Sequence, residues 1–266
     1  MPMLKKLLSI FQLPQAIPEQ SLLCQQTVIG DRSCNEDALG HVSVKIKKKL
    51  GHFFIVCDGM GGHVAGDVTA QALVKSFIEQ VKKLKKPLTP TTFQTLYQKS
   101  VEQMQQQVKA NHGEVDGHST LACAWLDEKQ ILTLHVGDSR VYQLNKKQVK
   151  WRTRDHSVVQ MLLDEGEITE DEMGTHPDQN KLFKSISVLG DKLDKPSIKQ
   201  FPPLDAGESL LVCSDGFWEY ITQKELVKLN NNLSQKNLEK SCGISQKRAN
   251  GKSDNISVIV FKQGKS

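Results

Sequence analysis

The chain has 266 residues, 38% of them hydrophobic and 24% charged, with a formal net charge of +5. That balance excludes a disordered polyelectrolyte, and no apolar run reaches the ~18 residues a membrane-spanning helix needs. The length suits one large domain or two small ones.

Residues 1–20 carry a Lys5-Lys6 pair and a short, interrupted apolar stretch without a small-x-small cleavage site. We expect an N-terminal extension there and one domain over 21–266. Short apolar or alternating runs follow, and their length and Val, Ile and Phe content predict strands at Leu22–Ile29, His41–Ile46 and Phe53–Cys57. From Val64 the apolar positions Val68, Ala72, Leu73, Phe77 and Val81 recur at helical spacing, with Pro87 as the stop. A second helical pattern follows Pro90, through Phe93, Leu96, Val101, Met104 and Val108. Strands return at Thr120–Leu126, Ile131–Val136 and Val141–Leu144, with Asp127-Glu128 as a hairpin turn. The stretch Trp151–Pro196 turns polar and reads as an excursion from the main body. Strands at Leu210–Cys213 and Ile256–Phe261 bracket a helix opening at Thr222, which stands at capping-box spacing from Glu225. Two stacked sheets with helices on their outer faces, an α+β sandwich, is the architecture these elements predict.

Six cysteines form no C-x-x-C pair, and four sit in or beside apolar runs, which argues for a reducing compartment and against a zinc or disulfide framework. The cytoplasm is the expected location. Two lysine runs, Lys45 with Lys47–Lys49 and the run 82–86, read as solvated surface or as a docking patch for an acidic or phosphorylated partner. Without interleaved aromatic residues nothing points to nucleic acid.

The chemistry lies in the acids. Asp58 follows one apolar strand, Asp215 follows another, and Asp254 precedes a third. Asp58-Gly59 and Asp215-Gly216 each fit an ordinary turn. Together with Glu36-Asp37 they can converge on one sandwich edge, where carboxylates repel unless cations lie between them. An all-oxygen set selects hard ions such as magnesium or manganese rather than zinc.

Read in order, the chain contains Gly30-Asp31-Arg32-Ser33-Cys34-Asn35-Glu36-Asp37 and Asp58-Gly59-Met60-Gly61-Gly62-His63. Gly117-His118-Ser119-Thr120, Gly137-Asp138-Ser139-Arg140 and Arg154-Asp155-His156-Ser157 come next. Ser214-Asp215-Gly216 and Ser253-Asp254-Asn255 close the series. Seven blocks in this order resemble the protein phosphatase 2C family of metal-dependent serine/threonine phosphatases, in a bacterial form.

The resemblance implies a two-sheet antiparallel sandwich flanked by helices, with a flap over roughly 152–196. It further implies hydrolysis of phosphoserine and phosphothreonine by a water held between two divalent cations, manganese or magnesium. By position, Asp58 would bridge both metals and Gly59 would offer its carbonyl to the second. Asp215 and Asp254 would hold the first, while Glu36 and Asp37 act at the second. Asp138 would help hold a weaker third, or else belong to a capped turn paired with Arg140. Arg32 would grip the phosphate, whose geometry suits a guanidinium; an ion pair with Asp31 or Asp37 is the plain alternative. Where some relatives carry a proton-donating histidine, this chain has Met60, and His63 and His156 are read as structural. The expected partner is a phosphoprotein, including a Ser/Thr kinase or its target, and a monomer is expected. A catalytically weak regulatory module on the same fold is the alternative.

Overall fold

The computed structural model describes residues 21–61, 64–190 and 192–264. The expected extension 1–20 and His63 lie outside the described residues. Strand β1 (Leu22–Val28) is followed by the hairpin β2 (Asp37–Ile46) and β3 (Lys49–Met60), then helices α1 (Val64–Lys82) and α2 (Pro90–His112). Next come β4 (His118–Ser119), β5 (Leu121–Leu126), β6 (Ile131–Val136), β7 (Arg140–Leu144) and β8 (Val149–Arg152). The excursion contributes α3 (Val158–Glu165), a 3-10 turn at Glu170–Thr175 and β9 (Ile186–Ser187). The chain closes with β10 (Ser197–Phe201), β11 (Ser209–Cys213), α4 (Asp215–Trp218), α5 (Gln223–Asn231), α6 (Gln235–Arg248) and β12 (Ile256–Lys262).

One sheet runs β1-β12-β11-β7-β8, and the other runs β10-β6-β5-β3-β4-β9 with β2 paired to β3. Alternation along β3 shows how the layers form. Phe53, Ile55 and Cys57 pack under Phe77 of α1 and Phe93 of α2, while Phe54 and Val56 turn inward to Val212 and Ile259 of the facing sheet. On the far side Leu211, Val258 and Val260 pack against Phe217, Leu226 and Leu238 of α4–α6. The α+β sandwich is therefore the observed architecture, four layers deep.

Several boundaries differ from the sequence reading, each for a physical reason. β3 runs through Asp58 and Gly59 to Met60, so that pair is strand rather than turn, because β2 and β4 both hydrogen-bond to it. The strand expected over Thr120–Leu126 forms as β5, which starts one residue later, and a short strand absent from the sequence reading, β4, precedes it and pairs with the end of β3. Helix α1 ends at Lys82, ahead of Pro87. Trp151 and Arg152 remain in the first sheet through β8, and Ile186–Ser187 return to the second through β9. The excursion proper is the segment between them. The capping box expected at Thr222–Glu225 forms, and Thr169 and Glu172 make a second one ahead of the 3-10 turn.

Candidate metal centre

The register of the β2–β3 hairpin sets Asp37 directly opposite Asp58. Three hydrogen-bonding devices hold their surroundings. Thr120 donates its N–H to Asp58 O at 2.8 Å, and its hydroxyl accepts from Asp58 N at 3.1 Å. Ser214, the residue before α4, donates its Oγ–H to Asp37 Oδ2 at 2.8 Å. Asn255 binds the loop between β1 and β2: its Oδ1 accepts from Glu36 N at 2.8 Å, and its Nδ2 donates to Ile29 O and Cys34 O. Gly30 sits in a left-handed turn at φ 64°, so close to the Asp254 backbone that a Cβ would collide with it.

These contacts bring Asp37, Asp58, Asp138, Asp215 and Asp254 to one edge. Burial, then Asp215, Asp37 and the remaining acids, pushes Asp58 well above the usual carboxylate range. Asp37 is raised to about 8 by burial and by Asp215, against the Ser214 hydrogen bond, and Asp138 is raised by burial and Asp215. Asp215 rises to about 6 through burial and Asp254. Glu36 stands to the side, where a Cβ on Gly66 would come within 2.6 Å of its Oε1 and one on Gly59 within 2.7 Å of its carbonyl. The Glu36 carbonyl accepts from Gly59 N at 3.1 Å.

Arg32 reaches over this group. Its Nη2 donates to Asp254 Oδ2 at 2.6 Å, and its side chain is 56% exposed. The partner is therefore neither Asp31 nor Asp37. Asp31 instead accepts from Ser253 N. The expected alternative for Asp138 fails in the same way, because Arg140 forks onto Asp155 and lies over the Trp218 ring, while Trp218 donates to the Asp138 carbonyl. His156 is structural: it accepts from Gly137 N and stacks on His135 at 4.7 Å.

Sequence reasoning missed Glu219. One turn after Asp215, it is raised to about 9 by burial, Asp215 and Asp138, and its spacing from Asp215 along α4 was the available signal. It also missed that the β3–β4 register sets His118 opposite Met60.

Do these residues suit divalent cations? Asp37 Oδ1 is buried and accepts no hydrogen bond among the described residues, an orphan that a cation would satisfy. The donors are all oxygens, the preference of a hard ion. Among the described residues, no three histidine, cysteine or acidic side chains are arranged to hold an ion on their own. A hard cation here would complete its shell with backbone carbonyl and water oxygens, as such ions usually do.

The profile of the family described as protein phosphatase 2C matches residues 24–246. The chain belongs to the protein phosphatase 2C family. Within that family it is 31% identical over 240 residues to the serine/threonine phosphatase stp of Listeria innocua, covering 87% of this chain and 91% of that protein. Its fold is similar to the Mycobacterium tuberculosis serine/threonine phosphatase PstP/Ppp, with a TM-score of 0.77 at 22% identity, across 92% of this chain and 100% of that one. A structure of the catalytic domain of PstP in complex with two manganese ions superposes with a TM-score of 0.73 at 21% identity, covering 92% of this chain and 99% of that one. Two sheets flanked by helices are common to the protein phosphatase 2C fold and to this chain.

Proposed function

We propose that this protein removes phosphate from phosphoserine and phosphothreonine in proteins, opposing a Ser/Thr kinase, with two divalent cations at the acidic edge. The observation that carries the reading is the convergence of Asp37, Asp58, Asp215 and Asp254 from four separate segments beneath a half-exposed Arg32. Asp58 is assigned to both ions, Asp215 and Asp254 to the first, and the Gly59 carbonyl, Asp37 and Glu36 to the second. Asp138, with Glu219 nearby, is assigned to a weaker third. Bound there, manganese or magnesium would lower the pKa of an attacking water and offset charge on the phosphoryl oxygens.

The protein's own groups do the rest. Arg32 leaves Asp254 to present parallel N–H donors to two phosphate oxygens, which fixes the phosphorus for in-line attack. A water oxygen bonds to phosphorus as the P–O ester bond breaks; the serine or threonine oxygen leaves and takes up a proton, and inorganic phosphate is released. Met60 has no proton to give, so solvent supplies it. Six free cysteines fit action in the reducing interior of a cell.

The test is phosphate release from a phosphothreonine peptide, with manganese and with EDTA, beside Asp254→Ala. Metal-dependent release that disappears in the variant supports the assignment. No release with manganese would leave the regulatory-module reading standing.

A further inference from the structure

The two lysine runs meet at one pole. Pro87, just past the second run, lines the same small cavity as Ile46 and Lys49 of the β2–β3 turn and Lys129 of the β5–β6 turn. Gln130 Nε2 donates to Leu88 O at 2.8 Å, and Lys49 pairs with Glu128, which ties the three turns together. The pole so formed carries nine exposed lysines, namely Lys45, Lys47–Lys49, four in the 82–86 run and Lys129, against two acids, Asp127 and Glu128. Among the described residues, Lys49–Glu128 is the only ion pair any of these lysines makes.

The backbone adds an independent sign. Lys47 and Lys48 are the two central residues of the hairpin turn, at φ 48° and 71°. Both lie in the left-handed region, where Asn-Gly is favoured and a side chain such as lysine is strained. Fold stability therefore argues against lysine at both positions. Lys82 has a structural reason, since it sits in the last turn of α1 and complements the helix dipole. Lys47 and Lys48 have none. Strain kept where the fold does not require it points to use.

The chemistry of the pole narrows the partner. Every cation is a lysine, a point charge on a flexible stem that reads charge density rather than the forked geometry an arginine would recognise. The pole is built from turn tips, and the exposed large hydrophobic side chains lie elsewhere, at Leu22, Ile29, Met161, Phe183, Leu189 and Ile244. It offers neither a groove for a peptide nor a ring for a base. It also lies at the far end of the β2–β3 ladder from Asp37 and Asp58, about 30 Å away at ~3.3 Å per residue. A phosphoprotein gripped there would have to span that distance, whereas a flat anionic surface would leave the acidic edge free.

We propose that this pole docks the protein on a membrane surface rich in anionic lipid headgroups, with the acidic edge turned to the aqueous side. Each lysine near such a surface contributes about fivefold to partitioning, and the attraction fades as salt screens it. The experiment is cosedimentation of the intact protein with vesicles of phosphatidylcholine alone or mixed with phosphatidylglycerol. Lys47→Asn/Lys48→Gly and Lys83→Gln/Lys85→Gln/Lys86→Gln are compared with the parent. The parent should bind only the phosphatidylglycerol vesicles and should release at about 0.5 M salt. The first variant should lose about 25-fold in partitioning and the second about 100-fold. Lys47→Asn/Lys48→Gly should also melt higher than the parent, and both variants should turn over a soluble phosphothreonine peptide at the parent rate. Equal binding to phosphatidylcholine alone, or binding that survives both variants, overturns the proposal. So does lysine-dependent retention on polyglutamate or a DNA duplex without retention on vesicles.

Discussion

A buried carboxylate has two escapes from its neighbours: to take up a proton or to hold a cation. Asp37 shows the choice most clearly, with one oxygen satisfied by Ser214 and the other left without a donor among the described residues. Glu219 shares the problem through Asp215 and Asp138. Glu219→Gln should therefore raise the melting temperature of the EDTA-treated protein at pH 8 and do little at pH 5, where the folded carboxyl is protonated at small cost. A variant that melts lower at pH 8 would remove Glu219 from the repelling group. Arg32→Ala should raise the Michaelis constant for a phosphopeptide and lower turnover, together by roughly tenfold to a hundredfold, the worth of a charge-assisted hydrogen bond. An unchanged Michaelis constant would take Arg32 away from the phosphate. At this scale the sequence was readable for Asp58, Asp215 and Asp254, because each flanks an apolar strand. The Arg32–Asp254 pair joins residues 222 positions apart, which no local pattern reveals.

Among elements, the ones found from sequence were those with a strong apolar period, such as β3, α1 and α2. Helix α6 went unseen because only Leu238, Cys242 and Ser245 of its 14 residues are buried, too narrow a stripe to stand out. Strands β8 and β10 lie at sheet edges and are half-polar, so they were absorbed into the excursion or missed. The excursion is fastened by charge as well as by the apolar packing of Val159 and Met173. Arg140 and Asp155, 3% and 0% exposed, form its buried hinge pin, with Arg152 and Glu170 extending the chain of ion pairs. Asp155→Ala strands a buried guanidinium and should cost about 3–5 kcal/mol in urea unfolding. A loss under about 1 kcal/mol would mean that water reaches Arg140.

For the whole molecule, pH and metal should act through the same carboxyl groups. Asp215, Asp37 and Glu219, lifted to about 6, 8 and 9, stabilise the metal-free fold fully below their unfolded values near 4, and that contribution is lost as pH rises through the folded ones. His52 and His156, pushed down to about 4 and 3 by burial first, act oppositely: their contribution is present above about 6.5 and lost as pH falls. The histidine effect is common to both forms, so the difference between them isolates the acids. Manganese should raise the melting temperature more at pH 8 than at pH 5. An equal rise at both would separate the ion from these carboxylates. The sandwich itself was legible because alternation in β3 already encodes two buried faces, whereas the pairing of β1 with β12 is a long-range fact outside any window of sequence. That pairing has a consequence for synthesis. Asp254 and Asn255 stand just ahead of β12, and Asn255 fixes the loop that carries Arg32 and Glu36. A nascent chain synthesised only as far as residue 250 would lack both, so the acidic edge should assemble only after β12 has emerged and paired with β1.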